Sequence, residues 1–180
     1  NSEWSSAANT TIGTGPDVDQ MFDRGFDAIF MGTGTAKPKK LQIPGGHLRG
    51  VRQAIYFLRR VSLYNEGNLD RNEVPVGNGD RVFVIGCGNT AMDAARSAVR
   101  LGAEKVTVVY HRTINDMSAL RSEYDEAVSE GVEFEWQSSI VDIHDDAGDI
   151  TDVVIECNGE RHEEDADVVI MLSAHSQPAV

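Results

Sequence analysis

The chain has 180 residues, 41% of them hydrophobic and 25% charged, the composition of one well-packed domain with part of another. Its formal net charge of −13 argues against a nucleic-acid partner, which is held mainly by clustered Lys and Arg. No apolar run approaches the ~20 residues of a spanning helix, and residues 1–11 have neither the basic nor the apolar region of a secretory leader, so a cytoplasmic location is expected.

Residues 26–31 (FDAIFM) read as a short apolar strand running into Gly32-Thr33-Gly34; a Lys- and Pro-bearing loop then ends at Pro44-Gly45-Gly46, as at a boundary between two units. Val51, Ala54, Ile55, Leu58 and Ser62 fall at helical spacing and predict an amphipathic helix over 49–63 with a sheet against that face. Residues 64–80, rich in Gly and Asn, suit an exposed connector. From Arg81 the pattern becomes strand (VFVI), glycine-rich turn, helix over 90–101, Gly102 and strand over 105–110, which together make one βαβ unit. A second helix over 119–130 places Leu120, Tyr124, Ala127 and Val128 on one face, stops at Gly131 and leads to a strand over 132–137. The chain then turns antiparallel, with strands at 140–143 and 153–157, a turn at 145–149 and the hairpin signal Asn158-Gly159. Residues 167–172 (DVVIML) read as a buried strand returning to the parallel sheet. The fold class expected is α/β, a Rossmann-like three-layer nucleotide-binding domain whose parallel sheet carries an antiparallel β-meander insertion.

The chemistry centres on Gly86-Cys87-Gly88-Asn89-Thr90-Ala91, a GxGxxA pattern directly after a strand and directly before a helix. Gly86 permits a tight turn, Gly88 lets the backbone approach a pyrophosphate, and Ala91 allows close packing of helix on sheet. The N–H groups of the helix N-terminus then face the phosphates, and Ala91, Ala94, Ala95 and Ala98 supply a stripe of small residues toward the strands. The bland alternative is a plain strand-turn-helix with incidental glycines; the βαβ frame favours a dinucleotide. In such a unit an acid at the end of the second strand bonds the ribose hydroxyls of NAD, whereas Arg accommodates the 2′-phosphate of NADP. Here that end reads Tyr110-His111-Arg112-Thr113, with no acid, and Arg112 is suited to a charge-assisted contact with phosphate. NADPH is therefore the expected cofactor, against the alternative that His111 and Arg112 are ordinary surface residues. His111 protonated below about pH 6.5 would strengthen phosphate binding. Cys87 and Cys157 form no CxxC pair, and the five histidines show no HxxxH or HExxH spacing, so neither a redox dithiol nor a metal site is expected.

The stretch FDAIFMGTG, LQIPGG, GVRQAIYFLRRV, VFVIGCGNTAMDAARSAVRLGAEKVTVVYHRT and the downstream EGVEF resembles the glutamate synthase small-subunit family over about residues 12–178. Members of that family are two-domain flavoproteins in which an inserted NADPH domain interrupts an FAD domain. They pass electrons from NADPH through FAD, often toward iron–sulfur clusters and a partner subunit. The resemblance implies Gly86, Gly88, Asn89 and Thr90 at the pyrophosphate turn, Arg112 beside the 2′-phosphate, and Gly32 and Gly34 where the chain passes between the FAD and NADPH domains. It further implies that 1–46 is a segment of flavin domain with its linker, 47–173 the NAD(P)-binding domain and 174–180 the return linker. The sequence departs from the family at His111-Arg112, where two arginines are usual, and at residues 173–178 (SAHSQP), where His175 replaces a glycine of an AIGxxP pattern. It also lacks the FAD fingerprint, the cysteine-rich region and the C-terminal GD motif.

No catalytic side chain is expected from this segment, because the cofactors carry the chemistry. The expected function is an NADPH-binding domain that delivers hydride to FAD within a flavin oxidoreductase. Its expected partners are the remainder of the FAD domain and an iron–sulfur or glutamate synthase large-subunit-like protein. The alternative is a non-enzymatic dinucleotide-binding regulatory or scaffolding domain. A short-chain dehydrogenase is disfavoured, because no Tyr-xxx-Lys pair occurs: Arg60 follows Tyr56 and Val128 follows Tyr124 at that spacing.

Overall fold

The computed structural model describes residues 12–13, 15–30 and 41–172. They belong to two compact units, 1–36 and 37–180. In the first unit a short helix, α1 (Val18–Asp23), is started by a capping box: Asp17 Oδ1 accepts from the Gln20 amide at 2.7 Å and Gln20 Oε1 accepts from the Asp17 amide at 3.1 Å. Residues 26–30 are not the strand their apolar run predicts; no strand pairs with them among the described residues, and Phe30 is 96% exposed. Without a neighbour to complete the ladder, an apolar pentapeptide has no reason to extend.

The second unit has three layers. Its middle layer is a five-stranded parallel sheet in the order β1 (Val51–Gln53), β8 (Val168–Met171), β2 (Arg81–Ile85), β3 (Lys105–Tyr110), β4 (Glu133–Trp136). Helices α2 (Ala54–Asn65), α3 (Asn89–Arg100) and α4 (Arg121–Ser129) share one face, where Val82, Val84, Val106, Val108 and Ile170 meet the buried alanines of α3. Over the other face lies an antiparallel meander of β5 (Ser138–Asp146), β6 (Asp149–Cys157) and β7 (Glu160–Asp165), whose Ile140, Ile143, Val153 and Ile155 pack on Phe83, Val109 and Val169. Both hairpin turns have two consecutive residues at positive φ, Ala147-Gly148 at 54° and 93° and Asn158-Gly159 at 52° and 84°, the geometry that matches strand twist. This is the expected Rossmann-like α/β architecture with its meander insertion.

Several local expectations are corrected. The predicted helix over 49–63 is two elements: Val51 to Gln53 pair in parallel with Val169 to Met171, and only then does α2 begin. Its buried residues are Ala54 and Phe57, while Ile55 is 62% exposed, because the β-to-α junction rotates the apolar face. Leu120 and Val128, expected on the inner face of α4, are exposed, and Ala127 alone of that set is fully buried. The connector over 64–80 is not wholly an exposed loop, since Val74 and Val76 enter the core. Arg71 makes this possible: its guanidinium donates to the carbonyls of Val76 at 2.7 Å and Leu101 at 2.9 Å, satisfying backbone groups that burial would otherwise strand.

At the N-terminal edge of the sheet, Arg81 grips Asp167 through Nε to Oδ2 at 2.8 Å and Nη2 to Oδ1 at 3.1 Å. These bonds hold the Asp167 carboxyl below the ordinary carboxylate range and tie the starts of β2 and β8 together. The opposite edge, where the strands end, carries the turn from β2 into α3.

Candidate functional site

The chain leaves β2 through α3 to β3 on one side, while β8 and β1 flank β2 on the other, so the strand order reverses at the C-terminal end of β2. Such a switch point opens a crevice between diverging connections. The glycine-rich turn sits there, and its two glycines answer different demands. Gly86 has φ of +119°, a conformation L side chains rarely adopt, and its amide donates to the Val109 carbonyl at 3.0 Å. A Cβ on Gly86 would meet only ordinary contact, 3.5 Å from Leu172 side-chain carbons, so backbone shape and not space requires glycine.

Gly88 is the converse. Its φ of −104° and ψ of 174° suit any residue, but it occupies the N-cap of α3, where Ser, Thr, Asp or Asn would normally lend a capping oxygen. Glycine leaves that position bare. The amides of Ala91 and Met92 donate to the Gly88 carbonyl at 2.8 and 3.2 Å, whereas those of Gly88, Asn89 and Thr90 find no acceptor among the described residues. Three donors at the positive end of a 12-residue helix are thus without a partner among the described residues. The nearest atom to a Gly88 Cβ is Ser118 Oγ, at 3.3 Å.

Between them Cys87 turns inward. Burial pushes its thiol up to about 12, so it stays protonated and is a poor nucleophile. Its carbonyl accepts from the amides of Ser118 at 3.2 Å and Ala119 at 3.1 Å, with the Ser118 hydroxyl at 3.3 Å. Asn89 Oδ1 accepts from the Leu120 amide at 2.9 Å. These bonds fasten the segment that follows β3 onto the turn, a function of Asn89 and Ser118 that the GxGxxA pattern does not disclose because the partner lies about thirty residues away. Ala91, 0% exposed, packs in the core between α3 and the sheet.

His111 and Arg112 ride on that fastened segment. Arg112 is exposed; its carbonyl accepts from the Gln137 amide at 3.0 Å, but its guanidinium has no ion-pair or hydrogen-bond partner among the described residues. The neighbouring acid is engaged elsewhere: Asp116 Oδ2 accepts from Thr113 Oγ1 at 2.7 Å and from the Thr113 amide at 3.2 Å. The Thr113 bond, with smaller help from the charges of Arg112 and His111, holds the Asp116 carboxyl below its usual range. His111 is half-buried, and desolvation first, then the Arg112 charge, lowers its pKa from the ordinary imidazole value. Tyr110 packs edge-on to His111 with ring centroids 5.0 Å apart, and its hydroxyl donates to the Asp116 carbonyl at 2.9 Å. The result is an aromatic-backed ledge, at the end of the strand paired with β2, that carries a guanidinium with no partner among the described residues.

Gly32, Gly34 and the 173–178 segment with His175 lie outside the described residues. Along the later turns of α2 and α3 runs an open groove of about 530 Å³, lined by Leu58, Val61, Asp93 and Arg96 among others. It lies beyond the glycine turn, and Arg96 there is committed to Glu123 and Glu130. Among the described residues no helix is long and apolar enough to cross a membrane.

Residues 6–173 match the model of the family described as pyridine nucleotide-disulphide oxidoreductase. The glutamate synthase [NADPH] small chain of Halomonas elongata is 37% identical over 124 residues, covering 68% of this chain and 26% of that protein. The NADPH-Fe(3+) oxidoreductase subunit beta of Geobacter sulfurreducens is 36% identical over 132 residues, covering 72% and 18%. The chain thus spans about a quarter or less of the length of these curated relatives. Among solved structures, thioredoxin reductase from Streptococcus pyogenes superposes with a TM-score of 0.61 at 23% identity, over 77% of this chain and 41% of that one, a likeness of fold.

Proposed function

The chain belongs to the pyridine nucleotide-disulphide oxidoreductase family, and from that premise we propose that residues 47–173 are the NADPH-binding domain of a flavin-dependent oxidoreductase. The observation that carries this reading is an N-terminus of α3 that Gly88 leaves uncapped, with the uncommitted Arg112 guanidinium just past the end of β3, the strand paired with β2. In it the amides of Gly88, Asn89 and Thr90 bind the pyrophosphate, the bare Gly88 position admits it, and Ala91 keeps α3 close to the sheet. Arg112 binds the 2′-phosphate, with His111 as a neutral neighbour at pH 7. NADPH, when bound, supplies a hydride; this chain's residues hold and orient the nucleotide and contribute no acid, base or nucleophile.

FAD is the hydride acceptor in this proposal, and no residue among those described is assigned to it. Residues 1–46, with Gly32 and Gly34, belong to a flavin domain and the passage from it, and 174–180 to the way back. The relatives named as a small chain and a subunit beta support a partner subunit that takes the electrons onward, an iron–sulfur protein or one like the glutamate synthase large subunit.

The test is parallel calorimetric titration with NADPH and NADH. Losing a charged hydrogen bond to phosphate costs about 1.5–3 kcal/mol, so Arg112→Ala weakens NADPH roughly 10- to 150-fold and leaves NADH affinity unchanged. A wild-type preference for NADH, or equal losses for both nucleotides, contradicts the assignment.

A further inference from the structure

The interlayer between the parallel sheet and the meander is apolar over most of its area and abruptly polar at one end. Along β4, Phe134 and Trp136 pack among the helix-side core, which turns Glu133 and Glu135 toward the meander. Along β7, His162 and Glu164 pair in register with Ile155 and Val153, both fully buried on the inner face of the meander, so they point inward as well. The edge of one sheet thus presents carboxylates to the edge of the other.

There His162 Nε2 lies 3.7 Å from Glu135 Oε1 and 3.6 Å from Glu164 Oε1, and the three ligand atoms are all within 4.8 Å of one another. With the third side at most 4.8 Å, a point lies no more than about 2.4 Å from all three corners, within reach of the roughly 2.0–2.2 Å of zinc bonds to imidazole and carboxylate. Lys105 does not compete for that point. Its ammonium takes the other oxygen of Glu164, Oε2, at 2.8 Å, and stands 3.5 Å from Glu133. This is the outer hydrogen bond that orients a ligating carboxylate.

Glu133, Glu135 and Glu164 crowd around the single Lys105 ammonium and His162, an excess of acidic groups that a dication balances. A second observation concerns the floor of this interlayer. Thr107 pairs in register with Phe83 and Glu133, is 1% exposed, and its Oγ1 has no hydrogen-bond partner among the described residues. A buried hydroxyl without a partner is a group that a bound ion's water can satisfy.

We propose that Glu135, His162 and Glu164 form a binding site for a divalent transition-metal ion, zinc in the first instance, that clamps β7 onto β4. The site is independent of the nucleotide crevice and of the function proposed for it. It takes one imidazole and two carboxylates from two different layers and leaves further positions for water. The competing reading is that inward-pointing charges only blunt two sheet edges against aggregation.

The 180-residue chain, stripped with EDTA, is titrated with zinc chloride by calorimetry, and the imidazole signals of His162 and His144 are followed by NMR. The proposal expects saturation at one equivalent, with His162 shifting and His144, which is held by Asp152 at 2.7 Å, unmoved. His162→Gln and Glu135→Gln weaken binding at least about 10- to 100-fold, the loss that follows removal of even an outer partner; His144→Gln binds as the parent does. Zinc at 100 times its Kd raises the unfolding midpoint by roughly 5–10 °C. Absence of saturable binding, a shift confined to His144, or full affinity in a folded His162→Gln chain overturns the proposal. If the variants fail to fold, the NMR titration of the parent chain decides alone.

Discussion

On the helix side of the parallel sheet, Val82, Val84, Val106 and Val108 lie under the alanines of α3, whereas on the other side Phe83, Val109 and Val169 meet Ile140, Val153 and Ile155 of the meander. Both interlayers exclude water, yet they bring different groups to the sheet's edges. Packing a helix by its alanines brings its axis close to the strands and delivers the positive helix end to the crevice beyond β2. The meander has no such helix end, and beside β4 it presents the side chains of β7. The proposed function puts an anion at the first edge. At the second, where Glu135 and Glu164 face inward, the chemistry suits a cation.

The largest effect expected to sharpen this contrast is on stability. Ile155 is fully buried in the meander interlayer, and Ile155→Ala should destabilise the domain by about 2–5 kcal/mol through lost transfer energy and a cavity. NADPH affinity of the folded fraction should not change. Denaturant unfolding with and without nucleotide measures both, and a loss of affinity alongside stability would show that the two edges are not separate.

Gly88→Val should do the reverse. The extended backbone there accepts a β-branched residue, and Ser118 Oγ, at 3.3 Å from the new Cβ, needs to give way only slightly. Stability should move by less than about 1 kcal/mol, while the side chain fills the space before the α3 amides and lowers NADPH affinity roughly 100-fold or more. Unchanged affinity in a folded variant would make the turn purely structural.

The smallest effect is one of pH. The protonated His111 imidazole favours a 2′-phosphate, so the preference for NADPH over NADH rises as pH falls through the His111 pKa. Burial and Arg112 place that pKa below the ordinary value, so the rise begins at lower pH than the roughly 6.5 of an exposed histidine. The phosphate itself takes up a proton near pH ~6, which caps the gain at a few-fold. Titrations from pH 7.5 to 5.5 should show it in the parent chain and not in His111→Gln; a rise that persists in the variant assigns it elsewhere.

The βαβ unit was legible because VFVI and KVTVVY are buried on both faces and the glycines between them punctuate the turn. Other elements left no local mark. Val51 to Gln53 is too short for a period to show, and only pairing with β8 makes it a strand. β7 is polar at every position from Glu160 to Asp165; it is a strand because the Asn158-Gly159 turn folds it onto β6. For the same reason the Glu135, His162 and Glu164 group escaped a search for HxxxH spacing. Its members are brought together by two sheets, not by one helix. At the nucleotide crevice, glycine and arginine positions could be read from spacing, but the bonds from Asn89 to Leu120 and from Ser118 to Cys87 depend on tertiary contact.

The most direct test is an amide-resolved NMR titration of the chain with NADPH. Shifts should concentrate on the amides of Gly88, Asn89 and Thr90 and on the Arg112 side chain, and those of β5 to β7 should stay in place. NADH should reproduce the changes at the glycine turn and omit those at Arg112. Shifts centred on the meander, or none at Gly88 to Thr90 at saturating nucleotide, would contradict the account.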